Sequence, residues 1–149
     1  MKTVDGSFVD ANVLVYAATE DDLRHRASLD LLETVSADTL LVSCQVLSEF
    51  YSVITNPRRV TSPYAPEKAV RFIPGLLGAP HVKVLPMTLE VELRLLAILD
   101  FNEVRGAAVY DLQIAATMLA HGVSRLYTYN GKDFARFASI EVLEPQVVQ

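Results

Sequence analysis

A chain of 149 residues with a single cysteine can build no disulfide framework within itself, so the small, disulfide-stapled secreted scaffolds drop out at once. That cysteine, Cys44, follows the apolar run Leu40-Leu41-Val42-Ser43 and is expected to be a reduced, packed thiol rather than a nucleophile. Positive charge is also scarce. Thirteen Lys and Arg stand against 18 Asp and Glu, a net charge of −5 with a pI near 5.1. The overall field repels a polyanion, so any nucleic-acid role must rest on local basic groups and a bound cation. No long apolar run is present: the stretch near the N-terminus is interrupted by Asp10 and Asn12, which suits neither a signal peptide nor a membrane span and leaves a cytoplasmic protein as the expectation. Linkers and low-complexity segments are missing too. With 51% hydrophobic residues, positions 1–149 are expected to form one domain with a full core. The three histidines, His25, His81 and His121, have no partner pattern for acid–base work, and no side chain has the setting of a triad nucleophile.

What the chain does have is an alternation of short apolar runs with longer segments of helical period, the pattern of a parallel α/β sheet. Strands are expected at 7–10, 40–43, 82–85, 126–129 and 141–143. A helix over 22–35 would bury Leu23, Ala27, Leu31 and Val35 and point Arg24, Arg26, Asp30 and Glu33 elsewhere. A second, over 44–55, takes Ser43 as N-cap and ends before Asn56-Pro57. Pro66 opens a third, which Pro74 and Gly75 should kink or stop. Thr88 caps a fourth, over 88–101, with an aliphatic stripe through Leu95, Leu96 and Leu99. The fifth, over 109–121, is rich in alanine and stops at Gly122.

In a parallel sheet all strands deliver their carboxyl ends to one edge, where ligands bind. Asp10 ends the first strand between two apolar runs, and an isolated carboxylate in such company costs several kcal/mol unless it is paired, hydrogen-bonded or holding a cation. Asn130 follows the fourth strand onto the same edge. Glu49 lies on the helix that leaves the second strand, about 40° around the wheel from Val53, at the margin of the face formed by Val46, Phe50, Val53 and Ile54. Asp111 falls in the first turn of its helix. Each acid alone has an ordinary explanation: a helix-dipole partner for Asp111, a border glutamate for Glu49, turn-amide hydrogen bonds for Asp10, and a cap for Asp133. Asn12 reads as a turn residue that positions Asp10. Their joint placement favours a shared site. Carboxylates about 5 Å apart repel by roughly 3 kcal/mol per pair at an effective dielectric of about 20, and a divalent cation relieves that. Oxygen donors without histidine or thiolate select Mg²⁺ or Mn²⁺ over Zn²⁺, an arrangement suited to hydrolysing a phosphodiester.

The segments Phe8-Val9-Asp10-Ala11-Asn12-Val13-Leu14-Val15-Tyr16, Ser48-Glu49-Phe50, Tyr110-Asp111-Leu112-Gln113-Ile114-Ala115-Ala116 and Leu126-Tyr127-Thr128-Tyr129-Asn130-Gly131-Lys132-Asp133-Phe134 resemble, in order and over nearly the whole chain, the successive motifs of the PIN domain. The resemblance is closest to VapC-type toxins of toxin–antitoxin pairs. It implies a three-layer α/β/α domain with strand order 3-2-1-4-5, a Mg²⁺- or Mn²⁺-dependent endoribonuclease, an antitoxin partner and a homodimer. It also implies Asp10, Glu49 and Asp111 as catalytic and metal-holding acids, with Asn12, Thr128, Asn130 and Asp133 in support. Asn130 stands where the family usually has a fourth acid, which leaves one metal ion or two open. Arg58, Arg59, Lys68 and Arg71 are candidate contacts for RNA phosphates. Two other readings stand beside the nuclease. One is a catalytically silent PIN-like module that binds RNA or protein. The other is a phosphatase using Asp10 as nucleophile, disfavoured because Asn12 stands where such enzymes need a second aspartate.

Overall fold

The computed structural model describes residues 4–34 and 38–148. Strand β1 (Ser7–Val9) is central in a five-stranded parallel sheet completed by β2 (Leu40–Ser43), β3 (Val82–Leu85), β4 (Arg125–Tyr127) and β5 (Glu141–Leu143). The order is β3-β2-β1-β4-β5, as the resemblance implies. Phe8 pairs in register with Leu41 on one side and Leu126 on the other, and all three are fully buried. That explains why the inner strands read as unbroken apolar runs: both of their faces are covered.

Among the described residues, six α-helices connect and cover the sheet: α1 (Ala11–Ala17), α2 (His25–Glu33), α3 (Cys44–Ile54), α4 (Pro66–Leu77), α5 (Leu89–Leu99) and α6 (Val109–His121). Ser43 caps α3 by accepting from the Val46 N–H at 3.3 Å, and Thr88 caps α5 by accepting from the Val91 N–H at 3.3 Å. Helix α6 ends in a left-handed Gly122 (φ 68°), which a side-chained residue adopts only at a cost. The small residues Ala116 and Ala120 let α5 lie close against α6, where Val91, Leu95 and Leu112 complete a second apolar cluster.

Several expectations are corrected. Strand β1 stops at Val9, short of the expected Asp10, which is instead the N-cap of α1, a helix over the run Val13-Leu14-Val15-Tyr16 to which the sequence assigns no element. Helix α2 begins at His25, leaving Leu23 fully exposed, while Asp30, expected on the outer face, is buried and ion-paired to Arg26 at 3.1 Å. The expected helix end at Val35 lies outside the described residues. Cys44 is exposed rather than packed, because the apolar burial of β2 ends at Ser43 and the first residue of α3 faces outward. Helix α4 continues through Pro74 to Leu77, and in α5 Leu96 is exposed while Leu95 carries the packing.

Candidate active site

Asp10 is placed by the abrupt strand-to-helix junction. Its Oδ1 accepts from the Ala11 N–H at 2.7 Å; its Oδ2 accepts from the Thr128 hydroxyl at 2.8 Å and the Asn12 side-chain amide at 3.3 Å. The same Thr128 oxygen accepts from Asn12 Nδ2 (3.2 Å) and from the Asn130 N–H (3.1 Å), while Asn12 Oδ1 accepts from the Tyr129 N–H (3.2 Å). Asn12 and Thr128 thus tie the β1–α1 junction to the end of β4 and supply a buried carboxylate with donors. Burial still dominates: it raises the Asp10 pKa, the Thr128 and Ala11 bonds pull it back, and the charge of Asp133 pushes it further up.

Glu49, on α3, is half-buried and receives a hydrogen bond on Oε1 from Gln45, one turn earlier. The Gln45 amide also reaches the Tyr110 carbonyl at 3.5 Å, bridging the helix of Glu49 to that of Asp111. Burial raises the Glu49 pKa; the Gln45 bond and the charge of Arg59 oppose the rise, and Asp10 and Asp111 add to it. Asp111, in the first turn of α6, is pushed up to about 6, first by burial and then by Asp10 and Asp133, with Arg136 opposing. These mutual effects require the acids to share one electrostatic neighbourhood.

They also share one cleft, of about 640 Å³, lined by Asp10, Asn12, Glu49, Asp111 and Asn130 with Arg59 and Arg24. Asp133, on a short 3₁₀ turn (Gly131–Phe134), does not line it and acts there through its charge. Of the four basic candidates only Arg59 reaches the cleft. Arg58 and Arg71 are exposed outside it, and the Lys68 ammonium sits over the Tyr64 ring at 4.1 Å. Sequence reasoning missed Gln45, although its position four residues before Glu49 on the same helical face was available. Arg24, readable from the sequence only as one of several basic groups that could hold a phosphate, lines the cleft, as does Tyr16, expected as a core or edge residue.

As placed, no three acidic, histidine or cysteine side chains among the described residues stand close enough to grip one ion. The donor chemistry nevertheless suits a hard divalent cation: carboxylates and amide oxygens line the cleft, with no histidine or thiol among them, and the acids repel one another.

The PIN-domain family profile matches residues 7–140, a span holding every one of these acids. The chain belongs to the PIN-domain family. Among its PIN-domain relatives, ribonuclease VapC43 of Mycobacterium tuberculosis is 31% identical over 92% of this chain and 93% of that protein. Ribonuclease VapC48 of the same species is 28% identical over 91% and 94%. The fold is similar to the crystal structure of M. tuberculosis VapC20, described as a sarcin–ricin loop cleaving toxin, with a TM-score of 0.72 at 19% identity over 94% of this chain and all of that one. A VapBC2 complex from Rickettsia felis, bound to promoter DNA, gives a TM-score of 0.64 at 19% identity over 94% and 98%.

Proposed function

We propose that this PIN domain, spanning residues 1–149, is a Mg²⁺- or Mn²⁺-dependent endoribonuclease and the toxin of a type II toxin–antitoxin pair. The observation that carries the reading is the convergence of Asp10, Glu49 and Asp111, from three separate elements, on one cleft within the span matched by the family. A divalent cation held by these three acids would offset their mutual repulsion and polarise the water and phosphoryl oxygens of an RNA phosphodiester. Asn12 and Thr128 fix the rotamer of Asp10 so that its carboxylate is in place before substrate arrives. Asn130 offers a neutral oxygen at the cleft, and Arg59 contributes positive charge there without a side-chain ion pair of its own among the described residues. That supports a role for Arg59 in holding a phosphate.

An antitoxin partner is supported by the relatives, several of which are named from toxin–antitoxin complexes. A homodimer is supported by exposed Leu89, Leu93, Leu96 and Phe101 on and just beyond α5. A cytoplasmic location fits the lack, among the described residues, of any helix long and apolar enough to cross a membrane. The silent-module reading retains one favourable observation, the neutral Asn130 at the cleft. The discriminating experiment is RNA cleavage by protein stripped with EDTA. The proposal expects no cleavage until Mg²⁺ or Mn²⁺ is restored. Unchanged cleavage in verified metal-free protein contradicts the metal; no cleavage with either ion favours the silent module. An adjacent reading frame encoding a small DNA-binding protein would identify the antitoxin.

A further inference from the structure

The cleft has a second feature, on the α1–α2 side, that the acidic chemistry does not use. The guanidinium carbon of Arg24 lies over the Tyr16 ring, 3.8 Å from its centroid, and 5.9 Å from that of Tyr129. Tyr16 and Tyr129 meet edge to face, with centroids 5.2 Å apart at 83°, and the Tyr129 hydroxyl is pinned by Ser28 Oγ at 2.8 Å. Asp22 grips Arg24 in a fork, accepting from Nε at 2.9 Å and from Nη2 at 3.0 Å, and also accepts from the Arg24 backbone N–H at 2.8 Å. Asp22, Arg24 and Tyr16 all line the same cleft as Asp10, Glu49 and Asp111.

A surface arginine meant to seize a phosphate keeps its charge and its forked donors free. Arg24 has neither. Asp22 neutralises it and occupies one donor edge, while Tyr16 and Asp22 together fix the plane of the guanidinium. What the pair leaves for a ligand is the outer π-face of the guanidinium and its Nη1 end, on a side chain that stays 46% exposed. A rigid, planar, delocalised face of that size, charge-compensated within an acidic protein, matches a nucleobase rather than a phosphate.

We propose that Arg24, backed by Tyr16, is a stacking platform for one unpaired base of a single-stranded RNA whose backbone crosses the acidic cleft. This rests on the nuclease reading and adds to it a substrate requirement: the nucleotide seated on the platform must be unstacked from its neighbours. Its identity matters little, because every base offers a π-face. Duplex RNA cannot present such a base.

The test uses the full chain and a single-stranded oligoribonucleotide of about eight nucleotides, bound with Ca²⁺ in place of Mg²⁺ so that it is not cut, with 2-aminopurine moved along it position by position. Wild-type protein is expected to alter the fluorescence strongly at one position. Arg24→Ala and Arg24→Lys should both abolish that change and weaken binding about tenfold, with melting curves like those of wild type. Replacing the responding nucleotide by an abasic one should weaken binding to wild type by a similar factor and leave the variants almost unaffected. Arg24→Lys is decisive, since it keeps the charge and removes the plane. Wild-type affinity and wild-type fluorescence in Arg24→Lys would overturn the platform while leaving the nuclease reading standing. No binding of the oligonucleotide by wild type would overturn both.

Discussion

Asp111 is the residue at which the cost of the acidic cleft can be read. Its pKa, pushed up to about 6 by burial and by Asp10 and Asp133, exceeds the ordinary aspartate value of 3.8 that it regains on unfolding. A raised acid stabilises the fold while protonated, so its contribution is complete below about pH 4 and is lost as pH rises through about 6. Removing the charge removes the penalty. In EDTA, Asp111→Asn should therefore gain on wild type in melting temperature between about pH 4 and about pH 6.5, with little further change above that. Parallel melting curves across that window would contradict the account. Asp10 differs in kind. It too is raised by burial, but Thr128, Ala11 and Asn12 donate to it, so hydrogen bonds meet much of the need that its apolar surroundings create. Of the explanations open from the sequence, hydrogen bonds apply to this residue, since Oδ1 and Oδ2 are donor-satisfied, while its shared field with two other cleft acids is what supports the proposed cation.

Among the elements, α3 carries Glu49 and depends on a single cap. Ser43 is fully buried, and its hydroxyl accepts from Val46 N–H at the helix start. Ser43→Ala should cost about 1 kcal/mol in urea unfolding, measured at the midpoint with an unchanged slope. A loss below a few tenths of a kcal/mol would show that the cap is not what starts the helix. This cap was legible in the sequence, as were the strand cores, Thr88, Pro66 and Gly122, because each rests on local stereochemistry. Helix α1 was not. Val13, Leu14 and Val15 are all buried, so the segment shows neither alternation nor a polar face, and nothing but its position after Asp10 separates it from a strand. Leu23 was misplaced because a spacing of four residues continues past the true helix start, where Arg24 already turns the chain. Asp30 was misplaced because its partners, Arg26 and the backbone N–H of Val148, come partly from the far end of the chain. The cleft acids were legible because strand ends and helix starts place them. The Asn12–Thr128 link, the Gln45 contact to Glu49 and the Arg24–Tyr16 stack were not, since each is a side-chain meeting across elements.

At the scale of the whole molecule, the order β3-β2-β1-β4-β5 makes the chain's function possible. Placing β1 between β2 and β4 brings Asp10, the α3 acid and the end of β4 to the same edge, and α6 returns Asp111 to it. The net charge of −5 works against binding RNA, so under the proposed function a polyanion would be engaged through Arg59, the Arg24 face and a cation held by the acids. Asp10 is central to that arrangement, being the acid at the carboxyl end of the middle strand, where α1 begins, and the one among Asp10, Glu49 and Asp111 held by the most hydrogen bonds. The most direct test compares cleavage of single-stranded RNA by wild type and Asp10→Asn in Mg²⁺, with melting curves recorded for both. The account predicts cleavage by wild type and at least a hundredfold loss in the variant, on the order expected when a charged group at the reacting centre is neutralised, with the fold intact. Undiminished cleavage by folded Asp10→Asn would contradict it.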